Sequence, residues 1–373
     1  MTRIGIDARE FTGGSRLTGI GRYLDNLVRP LLADTRIEVI AFSHTPAYLP
    51  VAWQGIRVAT LPGLPRLLID QVVLPRLASR YGVDVFFSPY YKIPFSGHFR
   101  RLITVHDVMF LRLPEFPAWK RFLSSIQLRM ACARADRILV DSAYTGDDLG
   151  GLIPRHRHKL SVLYPGLEAT WMAPPDADGA ATARERFASG HPYFLYVGNF
   201  KPHKNVKLLV DAFAMLCGKG VAQDHMLLLA GGDPLHRPAI EKQCGQLACR
   251  ERIRIHADLP DADLRSLYAG ARWTVTLSEY EGFGYPLVEA MARGCPVVCY
   301  PCTSLTELAQ DCVLAVPDLT REAVEDAMEE AIRMAQPSRE VLIAKGRQNV
   351  MRFLDGSSSR QFAALAQNLV QGH

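Results

Sequence analysis

WTVTLSEYEGFGYPLVEAMARGCPVVCY, residues 273–300, reads as a strand, a glycine-rich turn, a helix and a second strand. WTVTLS is a short apolar run that stops at polar residues. Gly282 and Gly284 follow, and Pro286 suits the first turn of a helix, where its missing N–H is not needed. PLVEAMARG has helical spacing, and CPVVCY is again a short apolar run. Two short strands bridged by one helix pair in parallel, so this stretch predicts a βαβ unit.

The same alternation extends in both directions. YFLYVGN, HMLLLAGG and RIRIHA read as strands upstream, with VKLLVDAFAML and ADLRSLYAGA as helices among them. The first half has its own series: RIGIDA, IEVIAF, DVFFSP, RLITVHD and RILVDS as strands, with TGIGRYLDNLVRPLL and PAWKRFLSSIQLRMACARA as helices. The fold class is α/β, two doubly wound Rossmann-like domains facing across a cleft. The expected domains are residues 1–173 and 190–350. PPDADGAATARERFASG, at 174–190, is the connection with a short helix inside it. Residues 351–373 end in a helix that could pack on either domain, including back on the first. No short period recurs, so a solenoid is excluded.

The chain has 373 residues, 48% hydrophobic and 22% charged, which excludes a disordered chain. The run in MTRIGIDAREF is too short and too charged for a signal-peptide core, and no apolar stretch is long enough to span a membrane. The expected location is cytoplasmic. The eight cysteines are then expected to be reduced and buried. Cys299 and Cys302 form a C-x-x-C with no second pair, so a structural role is favoured over a metal or redox site. Residues 1–168 hold 22 Lys/Arg against 14 Asp/Glu, a net of +8; the remainder holds 21 against 24, a net of −3. A basic first half suits an anionic partner such as phospholipid or a lipid diphosphate, or is simply a solvated surface. The basic residues are scattered and form no nucleic-acid module, so no nucleic-acid partner is expected.

Open α/β sheets bind ligands beyond the carboxyl ends of their strands. Four such places carry chemistry. In EGFGYPLVE, Gly282 and Gly284 allow close backbone approach, and a helix start beside them makes an anion site that a diphosphate fits. Phe283 and Tyr285 lie in the same turn. Glu281 and Glu289 bracket it, and a carboxylate accepts two hydrogen bonds from a vicinal diol. The same pattern also describes an ordinary helix start. In YVGNFKPHKN, residues 196–205, Lys204 can neutralise charge on a leaving phosphate, while Lys201 and His203 read as a solvated loop. Gly13 and Gly14, then Gly19 and Gly21, form a turn after the first strand that would cover the donor. His106-Asp107 stands at the end of RLITVHD, where His106 could meet a donor sugar or orient an acceptor. Asp176/Asp178 and Asp261/Asp263 have D-x-D spacing but fall in surface segments.

These features, in this order, resemble the retaining glycosyltransferases of family 4, which have the GT-B fold. The resemblance runs through RIGIDAR, GIGRY, TVHD, ILVDSAYT, YVGNFKPHKN, LLLAGG, DLRSLYAGA and the E-x7-E segment. It implies that Glu281 contacts the donor sugar, that Glu289 contacts the ribose, and that Lys204 is the lysine of an Arg/Lys pair at the diphosphate. Asn199 stands at the arginine's position, a departure that removes one charge unless Lys201 or Arg22 substitutes. Ala257 stands where the family often has glycine.

The resemblance further implies retention at the anomeric carbon by front-face attack, with no metal and no cofactor. It suggests a hexose, with GDP-mannose as first choice, moved to a lipid-linked glycan in bacterial polysaccharide assembly. The helix around Trp119 to Arg137 would then meet an anionic membrane at the cytoplasmic face. A soluble acceptor, or a sugar-nucleotide-binding protein without turnover, is the alternative, and a dinucleotide-dependent oxidoreductase is more distant.

Overall fold

Every strand in the described residues pairs in parallel, thirteen of them in two separate sheets. The computed structural model describes residues 1–12, 19–173, 177–257, 259–354 and 356–371. The chain divides into two compact units, Met1–Leu167 with Phe353–His373, and Glu168–Arg352.

The first unit holds β1 (Thr2–Asp7), β2 (Ile37–Ser43), β3 (Arg57–Thr60), β4 (Val85–Ser88), β5 (Arg100–Val105), β6 (Arg137–Val140) and β7 (Leu160–Val162), in the order β3-β2-β1-β4-β5-β6-β7. β1 is paired on both sides, Ile4 facing Val39 of β2 and Val85 of β4. Its centre is therefore buried, with Ile4 and Ile6 fully out of solvent. Helix Ser357–Gln371 belongs to this unit. Phe362 is buried with its ring 4.8 Å from that of Phe87, and the Ser358 and Ser359 hydroxyls donate to the carbonyls of Tyr164 (2.6 Å) and Asn26 (3.0 Å).

The second unit holds β8 (Tyr193–Gly198), β9 (Met226–Gly231), β10 (Ile253–His256), β11 (Trp273–Thr276), β12 (Val297–Cys299) and β13 (Val313–Ala315), in the order β10-β9-β8-β11-β12-β13. The chain enters this unit at Glu168, ahead of the stretch read as a connection. Helix Ala177–Ala188, inside that stretch, packs on helix Asp261–Gly270: Arg184 donates to the Gly270 carbonyl at 3.3 Å, and Arg186 pairs with Asp263 at 3.0 Å. A Cβ on Gly270 would lie 2.8 Å from the carbonyl oxygen of Ala180, so only glycine admits this approach.

Ten of the thirteen strands coincide with the apolar runs of the sequence; β3, β7 and β13 do not. All three are edge strands of three or four residues, too short to show a period. In each sheet the strand order reverses once, between β1 and β4 and between β8 and β11. The crevice outside such a reversal is where an open sheet receives ligand.

Candidate active site

In the second unit the loops leaving β8 and β11 meet at the reversal. β8 ends at Gly198, whose carbonyl accepts from the Gly232 amide at 2.9 Å. Gly231 has φ 122°, and a Cβ there would lie 2.3 Å from that same carbonyl. Asp233, just past β9, then ties the β8 loop to the β9 loop. Its carboxylate accepts from the amides of Phe200 (3.2 Å) and His236 (3.1 Å) and from the His236 ring (2.7 Å). Burial works against its charge, but the bonds from the His236 ring and the two amides outweigh this and bring the Asp233 carboxyl below its usual range.

After Gly198 the chain turns through a short 3-10 helix, Pro202–Lys204, into helix Val206–Gly218, with Asn205 left-handed at φ 54°. Asparagine tolerates that conformation. The Asn205 amide donates to the Leu277 carbonyl (3.0 Å) and to Glu279 (3.1 Å), while the Glu279 amide donates to the His203 carbonyl (2.8 Å). These bonds fix the β8 loop against the β11 loop and bring Lys204 to Glu281. The two form an ion pair, and both side chains are about 15% exposed. The Ser278 hydroxyl donates to the same Glu281 oxygen, Oε1, at 2.8 Å.

The Glu281 backbone is held as well. Thr303 accepts from its amide at 3.0 Å and donates to its carbonyl at 3.2 Å, and Ser304 donates to the carbonyls of Glu281 and Phe283, both at 2.9 Å. Thr303 sits at φ 47°, a conformation that strains a β-branched residue. Beyond Phe283, Gly284 (φ 108°) opens helix Tyr285–Ala292, which no side chain caps and which has Pro286 in its first turn. The rings of Phe283 and Tyr285 meet edge to face at 5.3 Å. Gly282 precedes them in the same turn.

Three expected site residues have less open surroundings. Glu289 is 1% exposed and accepts from the Tyr268 hydroxyl at 3.0 Å. Asn199 turns its side-chain oxygen toward the Lys201 amide at 3.3 Å, and its own carbonyl accepts from the buried Tyr196 hydroxyl. His106, in the first unit, bonds Asp141 through Nδ1 at 2.6 Å, and its Nε2 is out of solvent. Burial opposes a charge on His106, but Asp141 outweighs it and raises the imidazole above its ordinary value. Asp107 accepts from the Met109 amide at 3.0 Å, shaping the turn after β5.

Gly19 starts helix Gly19–Val28, and Gly21 is buried inside it; Gly13 and Gly14 lie outside the described residues. Asp261 and Asp263 occupy the first turn of their helix, and Asp176 lies outside the described residues. All eight cysteines are free thiols, and Cys302 donates to the Ser278 carbonyl at 2.8 Å, so the C-x-x-C supports the β11 loop. Among the described residues no group of three His, Cys, Asp or Glu is placed to hold a metal.

The first unit has a cavity of about 450 Å³ at its own reversal, lined by Asp7, Arg9, Glu10, His44, Tyr90 and Lys92 among others. Arg9 pairs with both Asp7 (2.6 Å) and Asp70 (2.7 Å), and Tyr90 donates to Glu10. Burial, and then the neighbouring Arg66, lower the Lys92 pKa. None of these residues stood out in the sequence, because they come from three strand ends and share no local motif.

Two family models match the chain in sequence: Glycosyltransferase Family 4 over residues 17–171 and Glycosyl transferases group 1 over residues 180–349. The chain belongs to the glycosyltransferases. The enzyme is 27% identical to O-antigen chain mannosyltransferase B of Escherichia coli over 360 residues, 90% of this chain and 92% of that one. It is 30% identical to a D-inositol 3-phosphate glycosyltransferase of Nocardia farcinica over 183 residues, 48% of this chain and 40% of that one. HepE of Anabaena, solved with UDP and glucose, superposes with a TM-score of 0.80 at 16% identity, covering 99% of this chain and all of HepE. The fold of the enzyme is thus the GT-B fold of two parallel-sheet α/β domains.

Proposed function

We propose that the enzyme is a retaining hexosyltransferase that uses a nucleoside-diphosphate sugar, with GDP-mannose as the first choice of donor. The observation that carries this reading is the Lys204–Glu281 pair, held at the β8/β11 reversal beside the start of helix Tyr285–Ala292. The diphosphate takes the helix start, where the backbone at Gly282 and Gly284 comes close and the dipole favours an anion. Lys204 exchanges its bond with Glu281 for the leaving phosphate as charge grows there. Both bonds to the Glu281 carboxylate fall on Oε1, so Oε2 takes the donor sugar's hydroxyls. Glu289 takes the ribose once it parts from Tyr268. His106 acts by position, tying the ends of β5 and β6 through Asp141.

Charge neutralisation by Lys204 and the helix start leaves no step that needs a metal or cofactor, and turnover in excess chelator is the expected outcome. Asn199 supplies a hydrogen bond but no charge, so Lys204 and the helix start share the leaving-group charge. Retention follows from front-face attack, in which the leaving diphosphate takes the acceptor proton.

The acceptor is a growing glycan on a lipid carrier at the cytoplasmic membrane face, in bacterial polysaccharide assembly. The full-length match to an O-antigen mannosyltransferase supports it, and the first unit's cavity, with carboxylates, arginine, lysine and tyrosine, suits a sugar. A soluble acceptor is the second reading, favoured by the match to the inositol phosphate enzyme. Donor hydrolysis without acceptor, over GDP-, UDP-, ADP- and dTDP-sugars, tests the donor. The expected result is a clear preference for GDP-mannose. Binding of a donor without hydrolysis or transfer would instead mark a protein that holds sugar nucleotides without turnover.

A further inference from the structure

Two turns bracket the short helix Ser304–Ala309, and each places a side chain where the backbone favours glycine. Thr303 has φ 47° and ψ −129°, and Gln310 has φ 46° and ψ −124°. These angles belong to the first central residue of a type II′ turn, a position dominated by glycine. The Leu305 amide closes the first turn on the Cys302 carbonyl at 2.8 Å, and the Cys312 amide closes the second on the Ala309 carbonyl at 2.9 Å. A β-branched residue suits such a position least.

Strain by itself marks no site, because Gln310 shares it, is exposed, and makes no side-chain hydrogen bond among the described residues. Thr303 differs in what its side chain holds. One hydroxyl serves both backbone groups of Glu281, accepting from the amide at 3.0 Å and donating to the carbonyl at 3.2 Å. Glycine could do neither. The neighbours of Thr303 grip the same loop. Cys302 donates through Sγ to the Ser278 carbonyl at 2.8 Å, and the Ser278 hydroxyl in turn donates to Glu281 Oε1. Ser304, fully buried, donates to the carbonyls of Glu281 and Phe283. Leu305 lies against Gly284, where a Cβ would stand 2.5 Å from its Cδ2. The turn at Thr303 therefore sets both the Glu281 carboxylate and the start of helix Tyr285–Ala292.

We infer that Thr303 is a positioning residue for the transfer step: its hydroxyl clamps the Glu281 backbone so that the carboxylate meets the donor sugar in one orientation, and the strained turn is kept for that clamp. The purpose of the clamp rests on the reading of Glu281 proposed above, while the clamp itself stands on its hydrogen bonds. Thr303 acts through Glu281 and need not touch the donor. A group misplaced by about 1 Å can cost about 10²-fold in rate, so loss of the hydroxyl should be felt in turnover before it is felt in nucleotide binding.

The test compares Thr303→Val, Thr303→Gly, Thr303→Ser and Gln310→Gly in the full chain. Activity is acceptor-free hydrolysis of the donor that the wild type prefers. Beside it, binding of the matching nucleoside diphosphate is measured, a probe with no sugar for Glu281 to meet. Thr303→Val keeps the shape without the hydroxyl and should lower kcat at least about tenfold, as should Thr303→Gly, with Kd for the nucleoside diphosphate within about twofold of wild type. Thr303→Ser should recover most of the loss. Gln310→Gly relieves the second turn and should leave kcat unchanged. Deuterium exchange at the Glu281 amide, read by mass spectrometry, should quicken at least about tenfold in Thr303→Val and Thr303→Gly and not in Gln310→Gly. Full turnover without the hydroxyl overturns the inference. So does an equal loss in Thr303→Ser, or a weakening of nucleoside diphosphate binding that matches the loss in kcat. A wild-type chain that hydrolyses no donor would sink the transferase reading; exchange would then decide the clamp, faster exchange in Thr303→Val upholding it and unchanged exchange overturning it.

Discussion

The two strand-order reversals share a topology and differ in chemistry. At β1/β4, Asp7 and Asp70 are balanced by Arg9 and Arg66, and Glu10 is taken by Tyr90. At β8/β11 one lysine faces one carboxylate beside two glycines and a helix start. The first arrangement offers hydroxyl-binding groups with little net field. The second offers a cation held in one ion pair beside a helix N-terminus, which an anion uses best. A doubly wound sheet thus settles where a ligand goes, and the side chains at each reversal settle which ligand.

The sharpest way to break this contrast is Glu281→Gln. Transfer should fall about 10³-fold with the fold intact, because the variant keeps the shape but loses the charge that pairs with Lys204 and that the proposed mechanism uses on the sugar. Steady-state kinetics beside circular dichroism would check it, and near-normal turnover would remove Glu281 from the site. Lys204→Ala should come next, costing about 10²-fold in kcat, with Lys204→Arg recovering part of it. A change confined to donor KM would show that Lys204 binds the ground state and does not serve the leaving group.

On the other side of the contrast, Lys92→Ala should raise acceptor KM about tenfold and leave acceptor-free donor hydrolysis unchanged. If donor hydrolysis fell with it, the two reversals would not divide the labour as proposed. The smallest effect concerns the His106–Asp141 pair. His106 is raised in the folded state, so its contribution is complete below the unfolded value of about 6.5 and fades as pH rises through the folded value. Asp141→Asn should therefore cost about 1–2 kcal/mol of stability in mildly acidic solution and progressively less in alkaline solution. Denaturant melts across pH would read this, and a cost that grows with pH would reverse the assignment of charge.

Much of this arrangement is legible in the sequence. Glu281, the glycines and Lys204 lie in two short motifs whose apolar flanks mark them as strand ends. The residues that hold them do not announce themselves. Thr303 and Ser304 reach Glu281 from 22 and 23 positions away, and Asp141 reaches His106 from the end of the neighbouring strand. Serine, threonine and aspartate at loop positions are too common to stand out without their partners. Composition at 174–190 suggests a connection with a short helix inside it, and helix Ala177–Ala188 lies there. The helix inside it is anchored by Gly270, Arg184 and Arg186, none of which helical spacing can reveal.

By itself the sequence determined the class of fold, the βαβ rhythm of both halves and the motif around Glu281, because strand and helix periods and glycine turns are local properties of the chain. Tertiary structure decided the rest. It showed that Glu281 is paired with Lys204 across 77 residues, that Glu289 is covered by Tyr268, and that the last helix closes the first unit. It also turned Trp119, Phe122 and Leu123 of helix Ala118–Arg134 outward and buried Leu128 and Cys132. Periodicity reports that a helix has an apolar face, but only packing against the sheet decides which of two such faces is buried.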